Sequence, residues 1–129
     1  MGIKMSLICP RCDAHSLEII RALELSSDAS SDEITVQQIA CACYGLHGAA
    51  VYQESRRGRL DAESWDHSGF FLEDADYRRL DGLMRACPNP ASRECTGGAH
   101  TYFNQLDPAG HWRGLAGFRV STPFPMVLG

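Results

Sequence analysis

Cys9-Pro10-Arg11-Cys12 at one end and Cys41-Ala42-Cys43 at the other bracket the stretch whose reading decides the fold. Two close thiol pairs separated by a hairpin-sized insert are the spacing of a four-sulfur tetrahedral metal site. The reason is geometric: a tetrahedral ion draws ligands from four directions, and two short turns present two thiolates each. Four sulfurs leave no open position, so such an ion is structural rather than catalytic. The insert reads as two strands. Residues 16–25 carry Leu17, Ile19, Leu23 and Leu25 on one face, interrupted by Arg21. Residues 33–40 return with Ile34 and Val36 alternating and Ile39 out of phase, which predicts a bulge near Gln37 and Gln38. The link between them, residues 26–32, is Ser/Asp-rich and reads as a mobile polar turn.

Cys9-Pro10-x-Cys12 with Cys41-x-Cys43-x-Gly45 resembles the zinc ribbons, over roughly a third of the chain. The resemblance implies two zinc knuckles joined by a β-hairpin, with Cys9, Cys12, Cys41 and Cys43 as the zinc ligands. It also implies use in protein or nucleic-acid contacts. Gly45 and Gly48 then read as positions where backbone amides turn toward the sulfurs without a Cβ in the way. A thioredoxin-like reading of Cys9 and Cys12 needs a helix starting at the first cysteine, whereas a strand and turn follow here. Residues 49–129 carry no family resemblance.

At 129 residues the chain suits one domain around one main core. A soft division falls between a zinc-ribbon-like hairpin at 1–48 and a sheet plus helix at 49–129, packed as one unit. The net charge of −4 argues against nucleic-acid binding by the surface as a whole. No run approaches the roughly 20 apolar residues of a membrane span, so no membrane partner is expected. The start runs into Cys9 with no apolar h-region, which is not the pattern of a signal peptide. Six cysteines in that setting point to the cytoplasm, where clustered thiols bind metal rather than pair.

Further strands read at residues 49–54, 63–72, 99–106 and 111–120, the last weakened by Gly114 and Gly117. Residues 73–86 read as a helix, with Tyr77, Leu80, Leu83, Met84 and Cys87 in one apolar stripe. Glu73, Asp74 and Asp76 at its start and Arg85 near its end complement the dipole, and Pro88 stops it. Residues 121–129 read as a surface tail. The expected class is α+β: a zinc-ribbon hairpin leading into a mainly antiparallel sheet of five or six strands with one covering helix.

Cys87, Cys95 and His100, spaced C-x₇-C-x₄-H, are a candidate second metal site, with His111 or His67 as a further ligand. A Cys87–Cys95 disulfide and two unlinked thiols are equally open readings. With three protein ligands, a water would complete the coordination and hydrolytic chemistry would become available. Arg56, Arg57 and Arg59 beside Trp65 could meet phosphates and stack a base. Interleaved carboxylates favour a solvated turn instead. Asp66 and His67 are adjacent on a strand and point to opposite faces, so they do not make a catalytic pair. No phosphate loop or nucleophile elbow is present in the sequence. The expected function is a small zinc-stabilised, non-catalytic adaptor or regulatory module with a protein partner. A nucleic-acid-binding zinc protein using the Arg56 to Arg59 turn is one alternative. A metal-dependent enzyme with an open site at Cys87, Cys95 and His100 is the other.

Overall fold

Aliphatic and β-branched runs pair in the order in which they occur along the chain. The computed structural model describes residues 7–10, 16–29, 31–41, 46–55, 64–95 and 97–126. Among these, β1 (Leu17–Leu25), β2 (Glu33–Cys41), β3 (Leu46–Ser55), β4 (Ser64–Phe71) and β5 (Phe124–Pro125) form one antiparallel sheet in sequential order. Helices α1 (Asp74–Ala86) and α2 (Gly98–Phe103) lie between β4 and β5 in the chain. The α+β class and the five-strand sheet match expectation. The described residues hold two helices where one was expected. β2 pairs with β3 without a slip from Glu33 opposite Glu54 to Cys41 opposite Leu46, so residue 48 lies inside a continuous sheet.

Both sheet faces are buried, and this accounts for Ile39. Ile34 and Val36 face α1 and α2, in a core with Leu23, Leu25, Leu80, Met84 and Phe103. Ile39 and Cys41 face the other way, in a second core with Leu17, Cys9, Phe124 and Met126. β2 therefore keeps its alternation, and the bulge expected near Gln37 and Gln38 is not there. The register shift lies on β1, between Ile19 and Arg21. One extra residue moves every later side chain to the opposite face. Leu17 thus enters the second core and Leu23 and Leu25 the first, instead of sharing a face. Ile19 and Ile20, beside the shift, stay 40% and 43% exposed.

Helix α1 buries Leu80 and Met84 against the first core, with Tyr77, Leu83 and Cys87 flanking them. Burying each of the two contributes about 1.5–3 kcal/mol. A polar clasp fixes the docking. Gln38, 1% exposed, donates to Asp81 Oδ1 at 2.8 Å and to the Tyr77 hydroxyl at 3.1 Å. Arg85 and Arg21 reach the same carboxylate at 2.8 and 3.3 Å. The Gln38 hydrogen bond, helped by the two arginines, holds Asp81 below the usual carboxylate range.

Several segments differ from expectation, each for a local reason. Residues 98–103, expected as part of a strand at 99–106, form α2. Ala99, His100 and Phe103 are its buried residues, a helical spacing that also resembles alternation. Residues 111–120 are not a strand, because Gly114 and Gly117 take φ of 66° and 89°, which turns the chain out of extended geometry. The expected tail instead supplies β5. Phe124 lies opposite Gly69, where a Cβ would collide with the Phe124 ring. The turn at 26–32 is fastened rather than loose. The Asp28 carboxylate accepts from Ser31 N and Trp112 N, both at 2.6 Å. Gly48 sits within β3, where a Cβ would strike the Phe70 backbone, so it serves strand contact and not a knuckle.

Asp66 is exposed, while His67 faces the other side of the sheet, as strand geometry requires. His67 Nε2 donates to Gln37 Oε1 at 2.6 Å, and its ring meets Tyr52 edge-on at 5.6 Å. Burial pushes the His67 pKa below 6.5, with Asp66 opposing in part. The unfolded chain therefore takes up this proton more readily than the folded one. His67 should destabilise the fold progressively as pH falls through 6.5, and its effect should be flat above that. Urea midpoints measured against pH check this: His67→Gln should remove that part of the slope, and an unchanged slope would contradict it. No helix among the described residues is long and apolar enough to cross a membrane.

Candidate metal centre

Cys87 caps the C-terminus of α1. Its N–H reaches back to Met84 O at 3.3 Å, and Pro88 prevents further helix. It follows Leu80 and Met84 along the helical stripe, which aims its sulfur inward. Two tight turns then bring the chain back. Ser92 N donates to Asn89 O at 3.1 Å, and Cys95 N donates to Ser92 O at 3.2 Å. Helix α2 begins just beyond, with His100 wholly buried on its inner side. The two sulfurs and one imidazole nitrogen all lie within 4.8 Å of one another, and this group could hold a metal ion.

The hydrogen bonds around the group orient its donor atoms. His100 Nε2 lies 2.9 Å from the Glu24 carbonyl oxygen. A carbonyl can only accept, so Nε2 carries the hydrogen. Nδ1 then presents its lone pair 3.3 Å from Cys87 Sγ. Gly97 N donates to Cys95 Sγ at 3.4 Å. A Cβ on Gly97 would come within 3.1 Å of Pro88 and 3.4 Å of Cys95 Sγ, so the close approach favours glycine. Glu24 N donates to Pro90 O at 2.9 Å, so one residue of edge strand β1 holds both the loop and the histidine. Burial pushes the Cys87 thiol pKa up and the Cys95 neighbour adds to this, while a backbone hydrogen bond from Asn89 opposes it. A bound cation reverses that preference and keeps a ligating thiol deprotonated.

Cys87 and Cys95 are both thiols and are not joined by a disulfide. His67 lies on the far sheet face, paired with Gln37, and His111 sits in an exposed turn, so neither joins the group. Of the first cysteine set, Cys9 and Cys41 are buried at 0% and 2% exposure in one core. Leu7 bridges Leu17, which pairs with Cys41, so both cysteines belong to the same end of the hairpin. Ser16 Oγ lies 3.1 Å from Cys41 Sγ. Cys12 and Cys43 lie outside the described residues, as do Gly45 and Arg56, Arg57 and Arg59. Trp65 is described only by its backbone pairing opposite Glu54.

A groove of about 450 Å³ lies between the β3 and β4 strands and the 112–123 segment, lined by Val51, Phe70, Trp112, Leu115 and Val120. Its Ser68 hydroxyl donates to Asp66 at 3.0 Å, so these two polar groups satisfy each other. The spacing of Cys87, Cys95 and His100 is legible in the sequence, whereas the Glu24 carbonyl that orients His100 is not. One available signal went unused: Cys87-Pro88 and Cys95-Thr96-Gly97 repeat the local patterns of Cys9-Pro10 and Cys43-Tyr44-Gly45. No family model matches the chain, and no curated protein or solved structure is significantly similar to it.

Proposed function

We propose that the chain is a small zinc-stabilised, non-catalytic interaction module of adaptor or regulatory type. Cys87, Cys95 and His100 hold one zinc ion, and the zinc-ribbon-like Cys9, Cys12, Cys41 and Cys43 hold another. The observation that carries the reading is the His100 ring. Its Nε2 is tied to Glu24 O, and its Nδ1 shares a space of 4.8 Å with two sulfurs. Two thiolates and an imidazole suit zinc among the divalent ions. The role is structural because the ligands come from the end of α1, the following loop and α2, while His100 is tied to β1. An ion there closes the far end of the sheet's edge strand. Thiol ligands of this kind fit a reducing compartment such as the cytoplasm. A protein partner is supported by exposed Ile19 and Ile20 on edge strand β1.

The test is metal analysis of protein purified without chelator. Two zinc ions per chain are expected in the parent and one in Cys95→Ala. Equal zinc content in parent and variant would overturn the assignment of the second ion.

A further inference from the structure

We propose that Cys87 and Cys95 also form a hydroperoxide-sensitive dithiol, whose oxidation to a disulfide expels the metal. The inference rests on the zinc reading above and adds its regulation. The two sulfurs already lie within 4.8 Å of each other. A disulfide needs them about 2 Å apart, so closure takes a displacement of less than about 3 Å. The segment that must move, residues 88–94, is mostly exposed and runs through two tight turns. Both cysteines are half-buried and open to a small solute. Among the four described cysteines, Cys9 and Cys41, at 0% and 2% exposure, are shielded, so a solute reaches Cys87 and Cys95 before those two. His100 cannot follow the sulfurs, because it is fully buried and its Nε2 is fixed on β1. Disulfide formation removes two of the three ligands and leaves one nitrogen, which does not hold zinc.

The chemistry balances with a hydroperoxide as the oxidant. Two thiols and one peroxide give one disulfide, one alcohol and one water. The O–O bond breaks, the S–S bond forms, and two electrons pass from sulfur to oxygen. Each thiol proton leaves on one of the two oxygens. From the zinc-bound dithiolate the same two protons come from solvent, and the cation departs.

The experiment treats the zinc-loaded full chain with hydrogen peroxide. It follows zinc release with a chromophoric chelator and maps the thiol-blocked peptides without reduction. A peptide linked through Cys87 and Cys95 should appear in step with loss of one zinc per chain, and dithiothreitol with zinc should reverse both. Cys95→Ser, with its secondary structure checked by circular dichroism, should give no such link. Loss of zinc while Cys87 and Cys95 both remain alkylatable would overturn the inference. So would their separate oxidation to sulfinic acids without a link. A chain with no zinc at these residues before peroxide is added overturns the zinc reading beneath. A zinc-loaded chain that keeps its ion overturns this inference alone.

Discussion

Replacing His100 by alanine is expected to destabilise the metal-free fold by about 3 kcal/mol, at the upper end of the usual range for a single substitution. The melting temperature should fall by roughly 10 °C. Two losses make up this figure, and a third adds to it when metal is bound. The variant opens a cavity at a wholly buried position. It leaves the Glu24 carbonyl without the imidazole N–H that it now receives at 2.9 Å. It also removes one of the three groups proposed to hold the metal, and an ion that binds only the folded state stabilises it by mass action, about 4 kcal/mol at a thousandfold excess over Kd. The last loss separates a metal site from a merely packed histidine. Zinc added to metal-free parent protein should raise the melting temperature by more than it raises that of His100→Ala. Equal responses would show that His100 does not ligate.

Phe103→Ala should cost about 3–5 kcal/mol. Phe103 is 2% exposed and stacks on Phe118 at 5.9 Å, with Tyr102 edge-on at 5.0 Å. Its carbonyl accepts Trp112 Nε1 at 2.6 Å, and Arg79 lies over the Phe118 ring at 4.0 Å. The residue thus joins α2 to the 112–118 segment. Phe103 also follows His100 by one helical turn, so loosening α2 should weaken zinc binding at the same site. Urea unfolding and chelator competition measure the two effects. Phe103→Leu, which keeps most of the volume, should cost less than about 1.5 kcal/mol and leave zinc affinity unchanged. A Phe103→Ala variant as stable as Phe103→Leu would contradict this packing.

The legible parts of the chain were those where one period runs long enough to dominate. Residues 17–25, 33–41 and 74–86 are such runs, and their elements fall where the periodicity puts them. Ile39 misled because alternation was read as one buried face, whereas β2 is buried on both. α2 spans six residues, too few for a helical period to stand apart from a strand period. β5 is two residues long, one of them proline, and its pairing depends on Gly69 more than 50 residues earlier. The cysteines and His100 were visible because side chains carry the chemistry. The Glu24 carbonyl was invisible because a main-chain oxygen has no residue identity, and only the packing of α2 on β1 selects it.

X-ray absorption at the zinc edge of the metal-saturated full chain examines the Cys87, Cys95 and His100 centre most directly. Sulfur scattering at about 2.3 Å should be joined by imidazole nitrogen at about 2.0–2.1 Å. The nitrogen shell should disappear in His100→Ala. A spectrum with sulfur ligands alone, unchanged in that variant, would contradict a metal centre at these three residues.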